Sequence, residues 1–157
     1  MNAKIDDRYW MGFAKQAGSA GTCRVEVGAI LVQRGLIVGV GRVGSVRGDD
    51  HCCDVGCWLE PVAHRGSSET GLSCVRTVHA EVNAVLNARK ADDSPIACYC
   101  THQPCFECLK VLLQFGVNRI VFEKPYKDTW RDKWLVGTKC VLGMVQLTEE
   151  APHDDVA

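Results

Sequence analysis

The chain has no apolar run near the roughly 18 residues that a membrane-spanning helix needs. Its start, with Asp6, Asp7 and Arg8, lacks the apolar core of a signal peptide. A cytoplasmic location is therefore the expectation. An excess of either charge is also missing: 18 Lys and Arg against 19 Asp and Glu leave a formal net charge of −1. That balance argues against the basic surface by which proteins grip duplex DNA or long RNA. No internal repeat or low-complexity tract is present. A chain of 157 residues is expected to form one domain over about 1–150, with a frayed tail over 151–157.

What the chain has in quantity is cysteine, ten in all. In a secreted protein these would suggest disulfides; in a cytosolic one they point to metal binding or catalysis.

Ile5, Tyr9, Trp10, Phe13 and Ala17 recur at helical spacing and predict a helix over 3–20. Val25, Val27, Ala29, Ile30, Leu31 and Val32 form a β-rich run, Arg34-Gly35 reads as a tight turn, and 36–40 as the returning strand. Gly39, Gly41, Gly44 and Gly48 predict a flexible loop carrying Arg42 and Arg47. Such a loop can hold phosphate through backbone N–H groups and guanidinium forks, although a solvated loop is the simpler reading. Residues 49–77 have no period and are crowded with His51, Cys52, Cys53, Cys57, His64 and Cys74. A structureless segment of that length needs something to tie it down. A second metal held by Cys23, Cys52, Cys57 and Cys74 would do so, with His51 or Cys53 as substitutes. Free thiols and a disulfide are the alternatives.

The remainder alternates. A helix is expected over 78–90, with Thr77 as its cap and Val78, Val82, Val85 and Leu86 inward. A strand follows over 96–101. The next helix spans 105–115, burying Leu109, Leu112 and Leu113 and stopping at Gly116. Further elements are a strand over 117–122, a helix over 126–136 bearing Trp130 and Trp134, and a strand over 140–147. A hairpin followed by alternating strands and helices implies an α/β fold, a mixed sheet with helices on both faces.

Chemistry concentrates at two helix starts. Cys105 and Cys108 lie three apart, on one face of a first turn that Pro104 suits. A helix N-terminus favours the thiolate form that binds metal. His79 sits at the start of the preceding helix. Three protein ligands leave one position open on a tetrahedral zinc, the arrangement of a catalytic site. Glu81 would point away from His79 on a regular helix, and the two converge only if His79 occupies the capping turn. There Glu81 can take a proton from water and pass it to a leaving amine. An acid that merely decorates a helix N-terminus is the bland alternative, and Cys-X-X-Cys alone could be a redox pair.

His79-Ala80-Glu81 followed by Pro104-Cys105-Phe106-Glu107-Cys108 resembles the zinc-dependent cytidine deaminase superfamily. Within it the chain looks most like the deoxycytidylate deaminases, through 23–29, His51-Cys52, Val55-Gly56-Cys57, 74–84, and Gly116-Val117 leading to Tyr126. The resemblance implies a three-layer α/β/α fold with a five-stranded mixed sheet. It implies hydrolytic loss of ammonia from cytosine C4 of a deoxynucleotide, dCMP to dUMP. His79, Cys105 and Cys108 would hold the catalytic zinc, and Glu81 would shuttle the proton. Residues 49–77 match an insertion that binds a second zinc in many members. Ala80, Arg24, Arg42, Arg47, Thr101 and Tyr126 are the candidate substrate contacts, and a homo-oligomer, often a hexamer, is the implied assembly. Where the family carries Gly-Tyr-Asn-Gly, a segment tied to nucleotide binding, this chain has Gly41-Arg42-Val43-Gly44, with Val46 where a proline is expected. An apolar side chain thus replaces a hydrogen-bonding one, a change that bears on substrate choice. The competing readings are a deaminase of another amino-pyrimidine or amino-purine, a tRNA base included, and a non-catalytic zinc-binding scaffold.

Overall fold

The structure, a computed structural model, describes residues 6–63 and 70–148. In chain order the first elements are α1 (Asp7–Ser19), β1 (Gly28–Gln33), β2 (Leu36–Arg42), β3 (Gly44–Ser45), α2 (Cys52–Val55), β4 (Leu59–Ala63), β5 (Thr70–Cys74) and β6 (Thr77–Val78). They are followed by α3 (Ala80–Leu86), β7 (Ile96–His102), α4 (Phe106–Phe115), β8 (Val117–Lys124), α5 (Thr129–Gly137) and β9 (Gly143–Gln146).

Arg34 and Gly35 both take positive φ, 52° and 74°, which suits a two-residue hairpin turn. β2 therefore returns antiparallel on β1, β1 pairs antiparallel with β7, and β8 and β9 extend the sheet in parallel. The strand order is β2-β1-β7-β8-β9, the expected five-stranded mixed sheet. Side chains alternate between its faces as strand geometry requires. Ile30, Val32, Tyr99 and Val121 meet Trp10, Met11 and Ala14 of α1. Ala29, Leu31, Cys98, Cys100, Ile120 and Phe122 face the other way, toward Ala80 and Ala84 of α3 and Leu109 and Leu112 of α4. The expected layers, helices on both faces, are present.

Four expectations change. Gly39 and Gly41 belong to β2 rather than to a flexible loop, and they form the seat of α3. A Cβ on Gly41 would lie 2.0 Å from the Ala80 carbonyl oxygen, and one on Gly39 2.5 Å from that of Ala84. With the helix this close, its fully buried residues are Ala80, Glu81 and Ala84; of the expected inner set, Val85 packs partly buried against the core, while Val78 and Val82 are only half-buried. Leu86 is 73% exposed. Residues 49–77 are not structureless: α2 is followed by the antiparallel β4–β5 pair, and β6 pairs with β3. Thr77 lies in β6, and its hydroxyl donates to the Cys74 carbonyl instead of capping α3. His64 and the tail over 151–157 lie outside the described residues.

Candidate active site

α3 and α4 pack against each other, and both begin in the same way. His79 is the N-cap of α3 (φ −66°, ψ 149°) and Cys105 that of α4 (φ −68°, ψ 169°). Neither side chain caps its own helix. An extended N-cap turns its side chain out of the helical path, so the two starts converge. His79 Nδ1 lies 3.2 Å from Cys108 Sγ and 3.6 Å from Cys105 Sγ, and the three donor atoms lie within 4.8 Å of one another. Tetrahedral zinc, with bonds of about 2.0–2.3 Å to nitrogen and sulfur, spaces neighbouring donors about 3.4–3.8 Å apart. The donor set fits that ion.

The cluster is electrostatically uneven. The Cys108 thiol, and then His79, hold Cys105 down to about 4. The same pairing, together with burial, pushes Cys108 up. A divalent cation is what allows both sulfurs to be thiolates together. Glu81 is 4% exposed, and burial raises its carboxyl above the usual range despite its own backbone N–H and the opposing charge of His79. A buried acid with a raised pKa holds its proton more readily than an exposed one and can pass it on.

Glu81, His79 and Cys105 line a cavity of about 230 Å³. Its walls include Ala80, Arg24 and Tyr126, three of the expected substrate contacts. The other three lie elsewhere. Arg42 and Arg47 are exposed and outside the lining, because β2 and the turn at Gly48 carry them outward. Thr101 is 7% exposed and accepts a hydrogen bond from the Gly28 backbone N–H at 3.2 Å, so it joins β1 to β7 behind the cavity. Its neighbours His102 and Gln103 line the cavity instead, and the sequence reading omitted both. Their signal was the strand period: His102 shares its face of β7 with Cys98 and Cys100, the face toward α3 and α4. Gln103 Oε1 accepts from the Tyr126 backbone N–H at 3.2 Å, tying two parts of the wall. Val43, of the Gly41-Arg42-Val43-Gly44 segment, is 7% exposed and lines the cavity beside Val27.

The sulfurs of Cys23, Cys52, Cys57 and Cys74 also lie within 4.8 Å of one another. Cys23 Sγ is 3.6 Å from Cys57 Sγ, and Cys52 Sγ 3.6 Å from Cys74 Sγ. This is the expected four-donor set, and its spacing fits a closed tetrahedral site. The proposed substitutes do not join it: His51 is exposed as the N-cap of α2, and the exposed Cys53 lies 3.6 Å from Asp54 Oδ1.

Residues 4–124 match the family described as the cytidine and deoxycytidylate deaminase zinc-binding region. The chain belongs to that family. Among its deaminase relatives, the deoxycytidylate deaminase of Mycobacterium phage D29 is 31% identical over 121 residues, 75% of this chain and 94% of that protein. ComE operon protein 2 of Bacillus subtilis is 32% identical over 126 residues, 77% of this chain, which spans only 60% of that longer protein. The crystal structure of dCMP deaminase from the cyanophage S-TIM5 in complex with dCMP and dUMP superposes with a TM-score of 0.67. It is 26% identical, with 94% of this chain and 99% of that one covered.

Proposed function

We propose that the chain is a zinc-dependent hydrolase that converts dCMP to dUMP and releases ammonia. The observation that carries this reading is the buried Glu81 carboxyl beside a three-donor His79–Cys105–Cys108 cluster, with Glu81, His79 and Cys105 lining one cavity. The names of the phage relatives, and the dCMP and dUMP bound to the S-TIM5 enzyme, support this nucleotide. His79, Cys105 and Cys108 would hold the zinc. When bound, the ion supplies a Lewis acid and lowers the pKa of water to about 7. Glu81 takes the proton from the attacking water and delivers it toward the departing amine, so that C4–NH2 and water become C4=O and ammonia. Arg24, on the cavity wall, is the candidate for the phosphate, in preference to the outward Arg42 and Arg47. Val27 and Val43 give the cavity an apolar stretch of wall, which suits a deoxy sugar better than a ribose hydroxyl.

A second zinc in the four-cysteine cluster belongs to the same reading, as does self-association into a homo-oligomer, for which light scattering is the check. The deciding experiment is a panel of deoxycytidine, dCMP, dCTP and CMP assayed for ammonia. The expected result is turnover of dCMP above the others. No turnover of any cytosine compound sinks the proposal and leaves the scaffold reading. Substitution of Arg24 by Ala should raise KM for dCMP and leave KM for deoxycytidine unchanged.

A further inference from the structure

We propose that Asp128 and Arg131 are positioning residues of the three-donor centre, holding from α5 the two peptide groups that flank Cys105. The inference rests on the ligand set proposed above. Both side chains are buried, 1% and 2% exposed. Asp128 Oδ2 accepts from the Phe106 backbone N–H at 2.7 Å, and Arg131 Nη1 donates to the Pro104 carbonyl oxygen at 3.0 Å. The Pro104 carbonyl belongs to the peptide group before Cys105, and the Phe106 N–H to the one after it. Those two planes define φ and ψ of Cys105. With both held, the direction in which its sulfur leaves the backbone is set from a different helix.

A simpler role for Asp128 is that of the α5 cap, since its Oδ1 accepts from the Arg131 backbone N–H at 3.1 Å. A cap alone needs one oxygen and works at the surface, where Ser, Thr or Asn serves as well. Here the carboxylate is sequestered and its second oxygen serves the first turn of α4. Arg131 reads the same way. Its Nη2 donates to the Tyr126 carbonyl at 2.8 Å, and Nε and Nη2 donate to Asp132 Oδ1 at 2.9 and 2.7 Å. Burying a guanidinium is costly unless its donors are satisfied. These are satisfied by one outer carboxylate and by two carbonyls, one bordering a ligand and the other belonging to the cavity wall. Partners of this kind, which orient a metal ligand without touching the metal, are typically worth 10–100-fold in metal affinity or activity.

Cobalt(II) titration tests this apart from turnover, the part of the absorption that Cys105→Ser removes being assigned to the three-donor centre. In Asp128→Asn, cobalt affinity at that centre should fall about 10–100-fold with a shifted ligand-field band, and kcat should fall more than KM rises. The four-cysteine centre should be unchanged. Asp132→Asn, at a side chain 58% exposed, loosens the guanidinium without opening the interior. It should act in the same direction but by less than Asp128→Asn. Wild-type cobalt spectra and affinities in both folded variants overturn the proposal, because a merely structural role would lower only the melting temperature. Should Asp128→Asn fail to fold, the Asp132→Asn result decides. A wild-type protein taking no cobalt at His79, Cys105 and Cys108 overturns the ligand set and the positioning with it. Cobalt binding without deamination overturns the reaction alone, and the variants' affinities still decide the positioning.

Discussion

The two donor clusters differ in what holds them and in what stands beside them. His79, Cys105 and Cys108 come from the first turns of α3 and α4, two helices seated on the sheet. Cys23, Cys52, Cys57 and Cys74 come from the segment after α1, the short α2 and its exit, and the end of β5. The first cluster offers three donors with the buried Glu81 carboxyl next to them; the second offers four sulfurs. Three donors leave a coordination position for chemistry, whereas four close the ion off. The clusters are nevertheless neighbours: Cys23 and Cys74 line the cavity together with His79 and Cys105. The four-cysteine cluster thus builds part of the wall of the site whose chemistry the other cluster would perform.

Glu81→Gln gives the largest expected effect. It should lower kcat by about 10²–10⁴-fold while leaving the zinc content of both clusters as it was, measured by atomic absorption. A comparable loss with zinc missing would mean that Glu81 holds the ion rather than the proton. Cys57→Ser should do the reverse. If the four cysteines hold a zinc, as proposed above, one zinc per chain is lost and the β4–β5 pair is loosened at Cys74. KM rises because Leu72 and Ser73 of β5 border the cavity, and kcat changes little. Loss of a structural metal should cost at least ~3 kcal/mol, or roughly 6–12 °C in Tm for a domain of this size. A kcat loss matching that of Glu81→Gln would erase the division between the two clusters.

Gly41→Ala separates the scaffolds beneath them. A methyl group 2.0 Å from the Ala80 carbonyl forces α3 off β2, with an overpacking cost of about 1–3 kcal/mol. His79 and Glu81 ride on that helix start, so kcat should fall. A zinc held by the four cysteines, to which no residue of α3 is a donor, should stay. Cobalt spectra at each centre against kcat provide the check.

How legible each cluster was in the sequence follows from the same difference. The three-donor site could be read because short spacings, Cys105 to Cys108 and His79 to Glu81, act within single helix starts whose geometry is local. The four donors could be named from cysteine density, but not the strands between them. β4 and β5 carry Pro61, Gly71 and no clean alternation, and their order comes from pairing with each other, from the end where Cys74 meets Leu59. The inner face of α3 was misread because helical period counts valines and leucines. The face actually used is set by glycines on another strand, a tertiary fact. Asp128 and Arg131 were missed for a similar reason. Asp128 carries an N-cap signal ahead of Thr129, but its reach to Phe106 exists only once α5 has packed against α4.

The smallest expected effect comes from the face of the sheet that neither cluster occupies. Arg119 donates to both carboxylate oxygens of Asp7, at 2.8 and 2.6 Å, and Tyr99 donates to Oδ1 at 2.9 Å. This ties the start of α1 to β7 and β8. Solvent at Arg119, 38% exposed in its side chain, limits the contribution, so Asp7→Asn should cost only about 1 kcal/mol. Both zinc contents, kcat and KM should stay as they were. The hydrogen bond from Arg119 holds the Asp7 carboxyl below its ordinary value of 3.8. Its stabilisation is therefore fully present above that value and is lost as pH falls through the depressed folded one. Denaturant midpoints of wild type and Asp7→Asn should differ at pH 7 and converge only in strong acid. A difference that instead grows as the pH falls would mean that the carboxylate opposes folding. A change in kcat at pH 7 would mean that α1 communicates with the cavity through β7, the strand that carries both Tyr99 and His102.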